Sequence, residues 1–221
     1  MLGLKSEAVN ERGDSADVLA ESRYHKYSLV ADAKCFRMSR TAKNQKDFKV
    51  TALSNWRGEK NEYAVLVSPY FQYPKEESQI YKAALDNNVC LLSWEHLSIL
   101  LERNIQETEN VTLESLWNIS SMISRDSKNT NGKDCFLSKI DAHVAKKIGI
   151  NISEFGNEMN ELKNILISRG CDEFHYCESS IEKIKNYSYE KAITELIKET
   201  KLEEKKSVIN TFISDLRGWN E

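Results

Sequence analysis

The spacing of apolar and polar positions changes several times along the chain, and each change marks a predicted element. Ala16 to Ala20 is a short apolar stretch carrying one acid, Asp17, and the polar turn Glu21 to Lys26 separates it from the run Tyr27 to Phe36. Side chains alternate along a strand, so in the second run Leu29, Ala31, Ala33 and Cys35 share one face while Val30, Asp32, Lys34 and Phe36 share the other. Two strands are predicted here, with Asp32 and Lys34 pointing the same way. From Thr41 to about Trp56 the period lengthens. Phe48, Ala52 and Trp56 fall at i, i+4 and i+8, which predicts a helix with Ser39 or Thr41 as its cap.

Tyr63 to Ser68 reads as a buried strand ended by Pro69, Glu77 to Asn87 as a helix, Val89 to Leu92 as another apolar strand and Trp94 to Leu101 as a helix. Strands alternating with helices give an α/β layout. The Asn- and Ser-rich stretch Ser124 to Gly132 reads as a linker, and the pattern beyond it is helical throughout. Phe155, Met159, Leu162 and Leu166 make one amphipathic face, Ala192, Ile193, Leu196 and Ile197 a second, and Val208, Ile209, Phe212, Ile213 and Leu216 a third. The expected division is a sheet-containing part over 1–120, a linker over 121–132 and a helical region over 133–221.

Composition narrows the class. The 221 residues suffice for one sizeable core, and with only 8 Gly and 2 Pro the chain has few breakers, in keeping with a helix-rich protein. Charged residues make up 29% and mean hydropathy is -0.56, and no apolar run approaches the ~18 residues that a membrane span needs. The first twenty residues have no continuous apolar stretch, so a soluble cytoplasmic protein without a secretory signal is expected. Five scattered cysteines without a C-x-x-C pair indicate neither a disulfide framework nor a zinc ribbon.

An acid on one strand and D-x-K on its neighbour is the arrangement that metal-dependent phosphodiester cleavage requires. Two carboxylates hold a hard divalent cation through oxygen, and the cation neutralises phosphate charge and activates water. An ammonium on the same face orients that water or stabilises charge on the phosphorane. The triplet alone carries little weight, since acid-x-Lys begins at Asp32, Asp47, Asp126, Glu161, Glu199, Glu203 and Glu204. Only Asp32 lies inside an apolar strand beside a second acid-bearing one. A charge there is costly unless a metal or an opposite charge offsets it.

Downstream, Arg37, Arg40, Lys43, Lys46 and Lys49 supply five cations against Asp47 alone, in a chain of net charge -3. Such a patch suits DNA phosphates, and Asn44 and Gln45 add amides able to read base edges; the plainer reading is a solvated helix face. Cys171, His175 and Cys177, with His143 as a distant fourth ligand, match no usual zinc spacing. His96 is read as a capping or packing residue, and the aromatic loop Tyr70, Phe71, Tyr73 and Pro74 as core or dimer packing.

With these residues in view, the chain resembles the HindIII-type restriction endonucleases, a branch of the PD-(D/E)xK nuclease superfamily. The likeness runs from about Leu2 to Asn118 and is densest in LVADAKCFRMSRTAKNQKDFKVTALSNWR (Leu29 to Arg57), FQYP (Phe71 to Pro74) and SWEHLSILL (Ser93 to Leu101). The family's catalytic acids fall on Asp17 and Asp32 and its lysine on Lys34; Ala16 stands where the superfamily pattern has proline.

The resemblance implies a restriction-endonuclease-like mixed sheet flanked by helices, with the nuclease core in 1–120. It implies a homodimeric type II enzyme that cuts both strands of a DNA palindrome, AAGCTT, with Mg2+, leaving 5'-phosphate and 3'-hydroxyl ends. Asp17, Asp32 and the Ala33 carbonyl would hold the metal, and a companion methyltransferase would belong to the same system without being a physical partner. Family members carry a helical region ahead of the point matched by Leu2, so the chain is expected to be N-terminally truncated. The alternative from another class is a catalytically inactive DNA-binding remnant.

Overall fold

The computed structural model describes the backbone of residues 2–9, 15–35, 48–126 and 133–218, and the side chains of these except 126, 133–134 and 212–218. Two compact units emerge, Met1–Leu162 and Lys163–Glu221.

The first unit is built on a five-stranded sheet in the order β1-β2-β3-β4-β5. Strands β1 (Lys5–Ala8), β2 (Val18–Glu21) and β3 (Ser28–Ala33) pair antiparallel, while β4 (Tyr63–Ser68) and β5 (Val89–Ser93) continue the sheet parallel to β3. This is the mixed sheet flanked by helices that the sequence led us to expect. Chemistry follows the order: β4 and β5 are buried at every residue and read as unbroken apolar runs, as strands covered on both faces do. The edge strand β1 is exposed along its length. Its polar sequence KSEA is why alternation does not reveal it.

Helix α1 (Val50–Arg57) packs on β3, β4 and β5, and α2 (Gln79–Asp86) packs against α1 and β5. Ser78 caps α2 by accepting from the Ile80 amide. The predicted helix from Thr41 to Trp56 needs correction where it is described. Lys49 adopts a left-handed conformation (φ 48°) and so separates Phe48, itself helical, from α1, which begins at Val50. The buried face of α1 is Val50 and Leu53; Phe48, fully buried, stacks on Tyr73 on the far side of the Lys49 break, and Trp56 is partly buried against the core.

Helix α3 (Trp94–Glu102) starts where β5 ends, and α4 (Glu114–Trp117), α5 (Ile119–Asp126) and α6 (Lys133–Ile148) follow. Leu113, Leu116, Phe136, Ile140 and Val144 join the core of the sheet. Helix α5 continues through Ser124 to Asp126, so the first residues of the expected linker are helical; 127–132 lie outside the described residues.

Two polar clusters lock this unit. Glu107, buried in a loop, accepts from the Ser22 and Tyr27 hydroxyls and from the Leu113 amide, while the Trp117 indole donates to Tyr27. Burial and the adjacent carboxylate push the Tyr27 hydroxyl far above its usual pKa, so it stays a neutral donor. Opposite Glu107, Gly3 (φ 87°) passes so close that a Cβ would meet the Glu107 carbonyl oxygen at 2.5 Å. Only glycine fits there.

The second cluster centres on His96, which is buried, as its reading as a capping or packing residue anticipates. Its Nδ1 accepts from the Ser93 amide at 3.0 Å while Ser93 Oγ accepts from the His96 amide, a reciprocal cap on α3. Nε2 therefore carries the proton and donates to Asp141 Oδ1 at 2.7 Å; Tyr70 donates to Asp141 Oδ2 at 2.9 Å and Glu95 accepts from the Tyr70 amide. In the aromatic loop, Tyr73 is buried with its hydroxyl on the Leu92 carbonyl, whereas Phe71 is exposed.

Helix α7 (Ile152–Lys185) begins in the first unit, where Phe155 stacks on His96. The second unit contains the rest of α7, α8 (Tyr189–Glu199, capped by Ser188) and α9 (Leu202–Gly218), with α8 and α9 in contact. No helix among the described residues is long and apolar enough to cross a membrane.

Candidate active site

The three acid and lysine positions singled out in the sequence meet at one end of β3. Strand β2 pairs with β3 in the register Val18↔Ala31, and the Asp17 amide extends that ladder by donating to the Ala31 carbonyl at 3.0 Å. One further step sets Asp17 across from Asp32. Its carboxylate reaches along the edge, where Oδ2 accepts from the Ala33 amide at 2.8 Å. The acid thereby takes up a donor that β2 no longer serves.

Asp32 is 2% exposed and Lys34 Nζ lies 2.6 Å from its Oδ2, which confirms that the two side chains share a face. Among the described residues Oδ2 has no hydrogen-bond partner beyond this ion pair. Burial pushes the Asp32 carboxyl above its usual range; Lys34 opposes this, and the nearby Asp17 carboxylate adds to the rise. Asp32 is thus a buried acid paired with Lys34 and close to a second acid.

These donors fit a hard divalent cation. Such an ion takes oxygen ligands, and one or two carboxylates commonly suffice when water and phosphate oxygens complete the shell. Among the described residues no group of three or more His, Cys, Asp or Glu side chains is placed to hold a metal, so the two acids would need a backbone oxygen. In a strand the amide and carbonyl of one residue point to the same side. Ala33, whose amide meets Asp17, therefore turns its carbonyl toward the acids.

The Lys34 backbone is held on both sides of its Cα: its amide donates to the Val67 carbonyl at 2.7 Å, and its carbonyl accepts from the Trp94 indole at 3.2 Å. The sequence reading used Trp94 only as the start of a helix. Ser68, fully buried and with no hydroxyl partner among the described residues, lies on the Asp32 side of β4 and is likewise not singled out by the sequence. A buried serine ending an otherwise apolar strand was the available signal.

Of the predicted DNA-contacting residues, Arg37, Arg40, Lys43, Asn44, Gln45 and Lys46 lie outside the described residues. Lys49 is exposed with its ammonium 5.5 Å above the Trp56 ring. Cys171, His175 and Cys177 are exposed on α7, and His175 pairs with Glu178. His143, in the first unit, lies 3.3 Å from the Ser115 hydroxyl through Nε2.

The HindIII restriction endonuclease family model matches residues 1–213. The chain is also 41% identical over 218 residues to the type II restriction enzyme HindIII of Haemophilus influenzae, covering 99% of this chain and 72% of that protein. A match this extensive means that the chain belongs to the HindIII restriction endonuclease family.

Proposed function

We propose that this protein is a type II site-specific deoxyribonuclease that hydrolyses both strands of duplex DNA at a palindrome, AAGCTT, with Mg2+. Its family membership supports site-specific DNA cleavage. The observation that carries the chemistry is the convergence of Asp17, Asp32 and Lys34 on one edge, with a buried Asp32 oxygen lacking a hydrogen bond.

In this reading Asp17, Asp32 and the Ala33 carbonyl hold the cation, which when bound supplies charge neutralisation at the phosphate and lowers the pKa of water. Lys34 orients the attacking water and stabilises negative charge on the phosphorane oxygens. A bond forms from water oxygen to phosphorus as that water releases a proton to solvent, and the bond to the 3'-oxygen breaks. Solvent protonates the leaving oxygen, giving 3'-hydroxyl and 5'-phosphate ends.

Arg37, Arg40, Lys43, Lys46 and Lys49 contact phosphates and fix register, while Asn44 and Gln45 read base edges. A palindrome calls for two such sites related by a twofold axis, and hence a homodimer. A companion methyltransferase protects host DNA without binding this chain, and both act in the cytoplasm. The nuclease core is assigned to 1–120, joined by 121–132 to a helical region over 133–221.

The test is incubation of purified protein with linear duplex containing one AAGCTT, with Mg2+ or with chelator. Two fragments with 5'-phosphates in the Mg2+ arm alone support the proposal. Salt-sensitive DNA binding without any cut in Mg2+ refutes catalysis and leaves a non-catalytic DNA-binding protein.

A further inference from the structure

Where β3 leaves the sheet, its ladder with β4 is broken by chemistry rather than by distance. In a parallel pair alternate residues of a strand each donate to one residue of the neighbour and accept from the residue two further on. Lys34 donates to Val67, so the natural donor to the Lys34 carbonyl is residue 69. That residue is Pro69, which has no N–H. The carbonyl next to the candidate catalytic lysine is thereby deprived of its ladder partner, and the Trp94 indole occupies the missing donor's place at 3.2 Å.

Trp94 is held for this task by buried groups. It is the first residue of α3, whose start is fixed by the reciprocal Ser93–His96 cap, and His96 is anchored in turn on Asp141. The loop carrying Pro69 is tied to the same helix start, because the Tyr70 amide donates to Glu95 and its hydroxyl to Asp141. The indole itself is 43% exposed, so core packing does not explain its placement.

We infer that Trp94 is a positioning residue for Lys34: by replacing the donor that Pro69 lacks, its indole N–H fixes the peptide from which the lysine side chain reaches Asp32. This rests on the proposed nuclease reading only for its consequence in catalysis; the restraint on Lys34 stands apart from it. Without the restraint the Lys34 peptide can rotate and the ammonium leaves its 2.6 Å contact with Asp32.

The test compares wild type, Trp94→Phe, which keeps ring area but removes the donor, and the double variant Trp94→Phe/Pro69→Ala, which restores a backbone N–H at position 69. Lys34 is read first by its rate of acylation with a small amine-reactive ester, followed by mass spectrometry, with exposed Lys5 and Lys60 as internal standards. We expect Lys34 to react about 5-fold faster in Trp94→Phe as it leaves its partly buried pairing, and to return toward the wild-type rate in the double variant. Cleavage of duplex DNA in Mg2+ is read second. There kcat should fall about tenfold with KM within a factor of two, because a displaced lysine affects the reacting geometry more than DNA binding, and the double variant should recover.

Unchanged Lys34 reactivity in a folded Trp94→Phe variant overturns the inference, as does failure of the double variant to restore protection. If Trp94→Phe does not fold, Trp94→His, which keeps a ring N–H, serves instead: Lys34 protected as in wild type supports the inference and Lys34 deprotected contradicts it. Absence of cleavage by wild type defeats the nuclease reading and leaves the acylation result to decide the role of Trp94.

Discussion

The Asp17 carboxylate accepts the Ala33 amide at 2.8 Å, across the point where β2 stops pairing with β3. One oxygen of the acid thus completes the sheet edge. Asp17→Ala leaves the Ala33 amide without this acceptor, and because the site is near solvent the loss is about 1 kcal/mol. Asp17→Asn keeps an acceptor and should recover most of that stability. Urea unfolding of the two variants distinguishes them, and neither is expected to cut DNA.

Asp32 is a site held at a cost. Its folded pKa lies above the ordinary carboxylate value because of burial first, with Asp17 adding to the rise against Lys34. The folded protein therefore holds that proton more tightly than the unfolded chain. Stability from this group is greatest below the ordinary aspartate value of 3.8, and declines as pH rises from there through the raised folded value. Asp32→Asn should consequently raise stability at pH 7 by about 1 kcal/mol, or roughly 2–4 °C in Tm, while abolishing cleavage. The gain should vanish below pH 4. A loss of stability at pH 7 would contradict the assignment of Asp32 as a carboxylate disfavoured by burial.

Glu107 is expected to behave in the opposite way. Its carboxylate serves Ser22, Tyr27 and Leu113 together, so Glu107→Ala orphans buried donors and should destabilise by roughly 3 kcal/mol. It touches none of the candidate site residues. Below its melting temperature the variant's cleavage rate per folded molecule should equal that of wild type.

Ser68 supplies a finer test. Among the described residues its buried hydroxyl has no partner, and removing an unsatisfied group is neutral to favourable. Ser68→Ala should match or exceed wild-type stability in thermal unfolding by up to about 1 kcal/mol. A clear loss would mean that the hydroxyl is bonded after all.

The site was legible in the sequence because a pleated strand fixes side-chain direction with period two. Asp32 and Lys34 had to share a face, and two neighbouring apolar strands brought Asp17 alongside. Strands β4 and β5 and helices α2 and α3 were legible for a related reason, since each is an apolar run or stripe bounded by a clear stop such as Pro69. What escaped depends on partners remote in the chain. Glu107 meets Tyr27 across 80 residues, and Trp94 meets Lys34 across 60; no local period encodes such pairs. The left-handed turn at Lys49 was equally hidden, because the apolar spacing around Phe48 and Trp56 suits an unbroken helix.

The most direct measurement is the single-turnover rate of cutting a duplex with one AAGCTT in Mg2+, for wild type, Asp32→Ala and Lys34→Ala, with binding of the same duplex followed in parallel at low salt. Metal-dependent cutting by wild type, lowered at least about 1,000-fold in both variants while binding persists, is the expected result. Cutting by either variant at a rate near that of wild type would show that the phosphodiester is broken elsewhere.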